Sequence, residues 1–236
     1  MAESFGTDAE RYDRTRPGYP AALVDRIVAT SPGPDLVDVG CGTGIVARQF
    51  QAAGCRVLGV DPDERMAGLA RRGGIAVEVA RFEDWDPAGR SFDAVIAGQA
   101  WHWVDMAAGA AKAAQALRPG GRVALFWNSF LPPPGLFEQA QSRMPGPEDY
   151  SLLCGKAAGA MRATAAFGEP EQWRFDWERH YTRDEWLDQI PTFGTLTRLS
   201  PGELRPILGA AGAAIDAVGG SFTMGYATVV ATAQRT

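Results

Sequence analysis

The stretch LVDVGCGTG at residues 36–44 combines a short apolar run with three closely spaced glycines. Its first four residues, 36–39, form a short apolar run of the kind that makes a buried strand. Its three glycines follow where that strand would turn into a helix. Glycine tolerates positive φ and lets a ligand approach the backbone closely, and doubly wound sheets bind ligands at such turns. The stretch therefore predicts the first strand of a parallel sheet and a ligand-binding turn after it.

Short strands alternate with helical segments from Asp35 to about Asn128, as in βαβ units. The apolar runs predict strands at 36–39, 56–60, 75–79, 92–97 and 122–127. Turn residues divide them. Gly54 ends the helix that begins near Gly44, Asp61-Pro62 caps and opens the next helix, and Pro119-Gly120-Gly121 closes a helix running through Leu117.

Further elements are predicted on both sides of this core. Thr7–Glu10 fits a capping box for a first short helix, and an apolar stripe marks a second one at about 23–28. A proline-rich connector at 131–135 leads into mostly helical residues up to Phe167. Alternation at 172–178 predicts a sixth strand, helices follow at 183–190 and 202–215, and 226–233 is a last strand. We expect an α/β fold with a doubly wound, seven-stranded, mostly parallel sheet and an antiparallel pair at one edge.

The composition excludes several classes of function. The 236 residues are 46% apolar and 22% charged, which is typical of one globular domain. A net charge of −5 disfavours a nucleic-acid partner, because phosphate backbones are bound by clustered Lys and Arg. The chain has neither an apolar run of ~18 residues nor the pattern of a signal peptide, so we expect a cytoplasmic protein with no membrane partner.

The metal-binding residue types are sparse. Cys41, Cys55 and Cys154 are widely separated, and the chain has two histidines, His102 and His180. Neither group has the spacing of a metal site, so we expect free thiols and no bound metal.

The glycine turn is compatible with more than one cofactor. The dinucleotide fingerprint requires a third glycine at position 45, where this chain has Ile45, and no Gly-Lys-Ser/Thr follows for a P-loop. A carboxylate beside the turn disfavours a pyrophosphate and favours a cation, so Asp38 points to S-adenosylmethionine (SAM), which carries a cationic ammonium and sulfonium. Asp61, at the end of the second strand, suits ribose hydroxyls in either cofactor.

At these residues the sequence resembles the class I SAM-dependent methyltransferases, specifically the type 11 domain group similar to trans-aconitate methyltransferase. The resemblance is carried by LVDVGCGTG, VLGVDPDERM, RYDRTRPGYP, FEDWD, SFDAVIAGQAWHWVD and LRPGGRVALFWN, over roughly the first 130 residues. It implies SAM as cofactor, S-adenosylhomocysteine as product and a Rossmann-like domain over residues 1–236. The implied parts are N-terminal cap helices (1–34), a SAM-binding core (35–128), lid or acceptor segments (129–170 and 182–217) and final strands (171–181 and 221–236).

The resemblance also assigns cofactor contacts. It places Gly40, Gly42 and Gly44 around the methionine part, Asp61 on the ribose, and Pro62 against the adenine, with Glu83 and Asp84 near the adenine amine. Arg81 departs from the common pattern and could shift the adenine contact to the Phe82 backbone and Glu83. The predicted cofactor-binding residues are Asp38, Gly40, Cys41, Gly42, Gly44, Asp61, Pro62, Phe82, Glu83 and Gln99.

The acceptor side of the site follows the fourth and fifth strands. Trp101-His102-Trp103 lies at the sheet edge where ligands bind, and His102 is the candidate general base, with a packed, hydrogen-bonded histidine as the alternative. A hydroxyl or carbon acid would need such a base, whereas a carboxylate would not. The predicted substrate-binding residues are Tyr12, Tyr19, Trp101, Trp103, Trp127 and Asn128, with Arg16 between the two tyrosines.

The expected activity is transfer of a methyl group from SAM to an oxygen or carbon of a small molecule, such as a carboxylate or a specialised metabolite, by a monomer or homodimer. Two alternatives remain. One is a catalytically silent SAM-binding partner or sensor, and the other is an NAD-linked oxidoreductase, which Ile45 and Asp38 disfavour.

Overall fold

Seven strands form one sheet in the computed structural model, which describes residues 8–137, 150–194 and 196–236. The strands are β1 (Asp35–Val39), β2 (Arg56–Asp61), β3 (Ala76–Val79), β4 (Phe92–Gly98), β5 (Leu117–Leu131), β6 (Glu171–Thr182) and β7 (Ser221–Gln234). Their order across the sheet is β3-β2-β1-β4-β5-β7-β6, and neighbours among β1 to β5 run parallel. The predicted doubly wound sheet is confirmed.

Strand β7 runs antiparallel to both of its neighbours. Along β5, Gly121, Val123 and Asn128 bond successively earlier residues of the C-terminal segment, namely Arg235, Thr232 and Thr228. On the other side the backbone N–H of Gly168 donates to Gln234 before β6 begins, and that of Arg183 donates to Gly220 after it ends. The sheet is therefore mixed, with the predicted antiparallel strand next to one edge.

Eight α-helices connect or flank the strands in the described residues. They are α1 (Ala9–Thr15), α2 (Ala21–Thr30), α3 (Ile45–Ala52), α4 (Glu64–Arg72), α5 (Met106–Ala116), α6 (Ser151–Ala163), α7 (Arg183–Gln189) and α8 (Pro201–Ala217). Capping boxes begin the last two, with Thr182 and Glu185 at α7 and Ser200 and Glu203 at α8. Short 3₁₀ helices lie at Trp101–Trp103 and Ile190–Thr192. None of the helices described is both long and apolar enough to cross a membrane.

Two helix starts differ from the sequence-based prediction. The cap of α1 is Asp8, whose carboxylate accepts from the N–H of Arg11, while Thr7 lies outside the described residues. The cap of α4 is Asp63 and not Asp61. Asp61 accepts hydrogen bonds from other backbone groups, so its carboxylate is used elsewhere.

Strand β5 begins earlier than predicted. Helix α5 ends at Ala116 and the strand starts at Leu117, so Pro119-Gly120-Gly121 lies inside the strand. Gly120 has φ +79° and its N–H donates to Arg235, and the pairing with β4 shifts register between Phe92 and Ala94. The proline and glycines therefore form an irregularity in the strand, because neighbouring chains supply partners that the local sequence does not reveal.

The chain divides into two compact units. The core unit comprises Gly18–Asn128, Asp149–Phe175 and Thr228–Thr236, and the aromatic unit comprises Met1–Pro17, Ser129–Glu148 and Asp176–Ala227. Residues 138–149 of the predicted helical insertion, which extends to Phe167, lie outside the described residues.

Both faces of the sheet are buried in the core unit. Along β4, Val95 and Ala97 belong to one apolar cluster, while Ala94 and Ile96 belong to another. Burial on both faces explains why residues 94–97 of this strand form a continuous apolar run rather than an alternating one. The aromatic unit has its own cluster, which includes Tyr181, Trp186, Phe193, Ile207, Phe222 and Tyr226.

Candidate active site

The glycine turn lies between β1 and α3. Gly40, Gly42 and Gly44 have φ of +65°, +55° and +88°, a region that other residues rarely adopt. At Gly40 space is also restricted, because a Cβ there would lie 2.5 Å from the Cβ of Ala100. The backbone N–H groups of Gly40 and Cys41 donate to the carbonyl of Val60 over 2.7 and 3.3 Å. The turn is thus held against the end of β2 in a conformation that requires glycine.

Asp38 lies on β1, two residues before Gly40, and its carboxyl group has no salt-bridge partner among the described residues. The residue is 1% exposed, and neither of its carboxylate oxygens has a hydrogen-bond partner. Burial, with the neighbouring charge of Asp61, raises the pKa of Asp38 well above its ordinary value, and the nearby N–H of Ala47 offsets only part of that rise. A buried polar group without a partner costs about 1–3 kcal/mol. A ligand that brings a hydrogen-bond donor or a cation to Asp38 would offset this cost.

Asp61 links the glycine turn to the start of α4. One carboxylate oxygen accepts from the N–H of Gly42 and the other from the N–H of Asp63, each over 2.8 Å. Burial raises the pKa of Asp61 despite these two hydrogen bonds, and the charge of Asp63 adds to the rise. Each oxygen has a second lone pair, so the carboxylate can also accept from ligand hydroxyls.

The electrostatics of the turn fit SAM. Within the described part of the chain no Lys or Arg forms a salt bridge with Asp38 or Asp61. Two buried carboxyl groups without a counter-ion repel a pyrophosphate and favour a ligand that brings positive charge. The ammonium of SAM would satisfy the oxygens of Asp38, and its ribose hydroxyls would suit Asp61.

Gln99 follows β4 in a strained conformation. Its φ is +53°, and its N–H donates to the carbonyl of Phe126 over 2.9 Å. Its side-chain Nε2 donates to the carbonyl of Asn128 over 3.3 Å, whereas its Oε1 is buried and has no partner. A left-handed residue other than glycine costs about 1–3 kcal/mol and is found mostly at functional sites. The strain and the unpartnered oxygen support the predicted cofactor contact.

Thr43 is a candidate that sequence reasoning missed. Its side chain is 1% exposed and its hydroxyl has no partner, although it lies inside the glycine turn. Its position between Gly42 and Gly44 was the available signal. Because a hydroxyl both donates and accepts, it adds a further polar group to the turn.

The segment predicted to contact adenine is partly engaged by the protein itself. Phe82 is buried, with its ring centroid 5.9 Å from that of Trp85 and 5.8 Å from that of Trp101. Glu83 accepts from the N–H of Asp105 over 2.9 Å and lies 3.6 Å from the guanidinium of Arg81. Pro62 and Asp84 are exposed. The adenine contacts of this segment stay a prediction.

His102 lies in the 3₁₀ helix after β4, where its ring meets two tryptophans. The indole N–H of Trp127 donates to its Nδ1 over 3.3 Å, and the Trp103 ring lies 4.8 Å away. A neutral imidazole has one N–H and one lone pair. If Nδ1 accepts, the proton resides on Nε2 and the lone pair is already in use. A general base at His102 would first have to break this hydrogen bond.

The other predicted acceptor residues have different environments. Trp101 and Trp127 are fully buried and pack within the core unit, whereas Trp103 is 39% exposed. Asn128 donates to the carbonyl of Gly18 over 3.1 Å and accepts from the Thr228 hydroxyl over 2.6 Å. Trp101, Trp127 and Asn128 therefore have partners within the protein, and their contact with an acceptor stays a prediction.

The two tyrosines lie in different units. Tyr19 belongs to the core unit, where its ring meets Phe126 edge-on at 4.7 Å and its hydroxyl lies beside Gly98. Tyr12 belongs to the aromatic unit, where the guanidinium of Arg16 lies 5.1 Å from its ring. The predicted cofactor-binding residues lie in the core unit with His102, Trp101, Trp103, Trp127 and Asn128, on or shortly after strands β1 to β5.

Comparison with known proteins identifies the family. The sequence model of a family described as "Methyltransferase domain" matches residues 12–216, which extends well beyond the 130 residues that carry the motifs. An uncharacterized methyltransferase of Mycobacterium bovis is 28% identical over 202 residues, covering 80% of this chain and 76% of the relative. The nocamycin O-methyltransferase of Saccharothrix syringae is 41% identical over 125 residues, covering 48% of this chain and 44% of that enzyme.

A solved structure agrees. A protein of Anaeromyxobacter dehalogenans, assigned as a type II methyltransferase, superposes with a TM-score of 0.68 at 25% identity, covering 93% of this chain and 97% of the other. These findings support the family and not the narrower likeness to trans-aconitate methyltransferase. The chain belongs to the methyltransferase domain family and is a SAM-dependent transferase with the class I Rossmann-like fold.

Proposed function

We propose that the chain transfers the methyl group of SAM to an oxygen atom of a small-molecule acceptor. The observation that carries the cofactor part is Asp38, a buried acid whose two oxygens have no partner in the free protein. The similarity to the nocamycin O-methyltransferase of Saccharothrix syringae supports the acceptor part. The net charge of −5 supports a small molecule rather than a nucleic acid.

Different residues of the core unit bind different parts of the cofactor. Asp38 binds the ammonium, Asp61 the ribose hydroxyls, and the backbone of the glycine turn lies against the methionine part. The unpartnered Oε1 of Gln99 and hydroxyl of Thr43 supply further hydrogen bonds. When bound, SAM supplies an electrophilic methyl group on a sulfonium that serves as its own leaving group. The protein therefore needs to orient the acceptor and exclude water more than it needs acid–base groups.

We assign His102 an orienting role. With Nδ1 occupied by Trp127, its other nitrogen carries a proton and acts as a hydrogen-bond donor. A donor can hold an acceptor oxygen in place but cannot remove its proton. The arrangement suits an acceptor oxygen that is already ionised, or one that loses its proton to solvent, such as a carboxylate or an acidic hydroxyl.

The test has two stages. Calorimetric titration with SAM, S-adenosylhomocysteine and NAD should show saturable binding of the first two alone. Incubation with SAM labelled on the methyl group and a panel of carboxylic acids, phenols and alcohols should then produce an acceptor that is heavier by one methyl group. Tight NAD binding without SAM binding would refute the cofactor assignment.

The alternative is a SAM-binding partner or sensor that does not catalyse transfer. The hydrogen bond to Nδ1 of His102 favours it, because this hydrogen bond occupies the lone pair that a general base at His102 would use. Both functions predict SAM binding, so the labelled transfer distinguishes them. SAM binding with no transfer to any class of acceptor would support the silent protein.

A further inference from the structure

Gln49 on α3 binds both backbone polar groups of Tyr19. Its Oε1 accepts from the N–H of Tyr19 over 3.0 Å, and its Nε2 donates to the carbonyl of Tyr19 over 2.8 Å. The preceding residue, Gly18, leaves room for this contact, because a Cβ there would lie 2.9 Å from Oε1 of Gln49. An amide side chain that pairs with both the donor and the acceptor of one residue fixes the position of its backbone. Tyr19 is therefore held against α3.

A second amide fixes the same segment. Nδ2 of Asn128 donates to the carbonyl of Gly18 over 3.1 Å, and the amide of Gln99 donates to the carbonyl of Asn128 over 3.3 Å. The ring of Tyr19 also meets that of Phe126 edge-on at 4.7 Å. Gly18 and Tyr19 are thus connected both to α3 and to β5, which restricts where the side chain of Tyr19 can lie.

The hydroxyl of Tyr19 lies at the carboxyl end of β4. A Cβ on Gly98, the last residue of that strand, would lie 2.8 Å from this hydroxyl and 2.7 Å from a methyl group of Val46. Val46 and Gln49 are three residues apart and share a face of α3. Tyr19 therefore lies along this helix, with its backbone at Gln49 and its hydroxyl near the first turn, which follows the glycine turn.

Asp38 faces the same part of α3. It pairs with Ile96 on β4, and Ile96 and Gly98 are two residues apart, so all three positions point to one face of the sheet. The carboxyl group of Asp38 lies near the backbone N–H of Ala47, in the first turn of α3. The hydroxyl of Tyr19 and the carboxyl group of Asp38 therefore lie on the same face, beside the start of the same helix.

The chemistry of SAM fits this pair of groups. Its carboxylate is attached to the same carbon atom as its ammonium, so an ammonium bound at Asp38 brings the carboxylate close to that acid. A carboxylate accepts hydrogen bonds and needs donors. A cationic side chain would also pair with Asp38 and compete with the ammonium, whereas a phenol donates a hydrogen bond without adding charge.

We propose, on the basis of the function proposed above, that the hydroxyl of Tyr19 binds the carboxylate of SAM and that Gln49 is the positioning residue that places this hydroxyl. Gln49 contacts the backbone of Tyr19 and acts through it. Tyr19 then serves the cofactor rather than the acceptor. The loss of either side chain should reduce affinity only for ligands that carry the carboxylate.

The two probes are SAM and decarboxylated SAM, which keeps the ammonium and the sulfonium but lacks the carboxylate. In calorimetric titrations the wild-type protein should bind SAM about tenfold more tightly or better, because a hydrogen bond to a charged group is lost with the carboxylate. Tyr19→Phe keeps the ring that packs against Phe126 and removes the hydroxyl. It should weaken SAM binding about tenfold and leave the affinity for decarboxylated SAM unchanged.

Variants of α3 test the positioning role. Gln49→Met preserves the length of the side chain and should likewise weaken the binding of SAM alone. Gln51→Met, at an exposed position on the same helix, is the matched control and should change neither affinity. In the double variant Tyr19→Phe/Gln49→Met, SAM should bind no more weakly than in Tyr19→Phe, because Gln49 acts through the hydroxyl. Circular dichroism checks that each variant is folded, and Tyr19→Phe tests the carboxylate contact even if Gln49→Met folds poorly.

Three results would overturn the proposal. One is equal affinity of the wild-type protein and Tyr19→Phe for SAM. The second is equal weakening of SAM and decarboxylated SAM in Gln49→Met, which would indicate a purely structural role. The third is additive loss of SAM affinity in the double variant, since independent effects would mean that Gln49 does not act through Tyr19. Failure of the wild-type protein to bind SAM at all would refute the proposed function itself, whereas these three results leave that function intact.

Discussion

Replacing Asp38 by asparagine should change stability and SAM binding in opposite directions. In the free protein this acid is buried, without a hydrogen-bond partner and beside Asp61. The substitution keeps the shape and removes the ionisable group. A buried polar group without a partner costs about 1–3 kcal/mol, so removing the ionisable group should raise the free energy of unfolding by about that amount at pH 8. For a chain of this size that is roughly 2–12 °C in Tm.

The sign of the pH dependence follows from the direction of the shift. A raised pKa in the folded state means that folding retains a proton which the unfolded chain releases. The wild-type protein therefore loses stability as the pH rises from the unfolded-state pKa, about 4, towards the folded-state pKa of Asp38. Asp38→Asn lacks this loss, so its advantage should be small at pH 4 and largest at alkaline pH.

Affinity for SAM should fall in the same variant. A hydrogen bond to a charged group contributes about 1.5–3 kcal/mol, which corresponds to roughly a 10- to 100-fold increase in Kd. Thermal unfolding from pH 4 to 9 and calorimetric titration with SAM measure the two effects. Asp25→Asn, at an exposed position on α2, is the control and should change neither. Unaltered SAM affinity, or destabilisation of Asp38→Asn at pH 8, would refute the role given to this acid.

Three further substitutions test the turn and the residues after β4. Gly40→Ala should lower the free energy of unfolding by about 2–4 kcal/mol, because Gly40 has a positive φ and the added Cβ would overlap the Cβ of Ala100. Gly74→Ala is the control: Gly74 also has a positive φ, but its surroundings are open, so the substitution should cost only about 1 kcal/mol in chemical denaturation. Gln99→Gly should leave stability within about 1 kcal/mol, because relief of strain offsets the lost hydrogen bond, and should weaken SAM binding several-fold in calorimetry. His102→Gln should retain kcat within about tenfold and keep the wild-type pH profile. A decrease in kcat of about 10²-fold or more would instead support a general-base role for His102.

The central sheet was predictable because its signals are local. Residues 94–97 of β4 form a continuous apolar run, and LVDVGCGTG places glycines where positive φ is needed, so neither inference depends on distant residues. The same holds for Asp38, whose charge beside the turn already indicated a cationic cofactor. The start of β5 was mistaken because Pro119 and Gly120 stop helices in most contexts, and the pairing with Arg235 that makes them part of a strand joins residues far apart in sequence.

The individual side-chain contacts of the site depend on the three-dimensional structure, which the spacing of residues along the sequence does not reveal. Asn128 is predicted to contact the acceptor, and in the structure its amide joins Gly18 to Thr228, which lie 110 and 100 residues away in the sequence. The hydrogen bond from Trp127 to His102 likewise joins two strand ends that meet only in the folded sheet. Hydrogen bonds of this kind determine whether a polar side chain is available to bind a ligand or is used to stabilise the fold.

The two hydrogen-bonded tyrosines of the aromatic unit, Tyr181 and Tyr226, can serve as an intrinsic spectroscopic probe. Burial, followed by the adjacent Tyr181, raises the pKa of Tyr226 far above its ordinary value, and burial raises that of Tyr181 as well. Two of the five tyrosines should therefore stay silent in an alkaline ultraviolet difference spectrum while their surroundings are intact. When this unit unfolds, the two phenols become exposed and ionise, and the resulting tyrosinate absorbance would report the rate of unfolding without an attached dye.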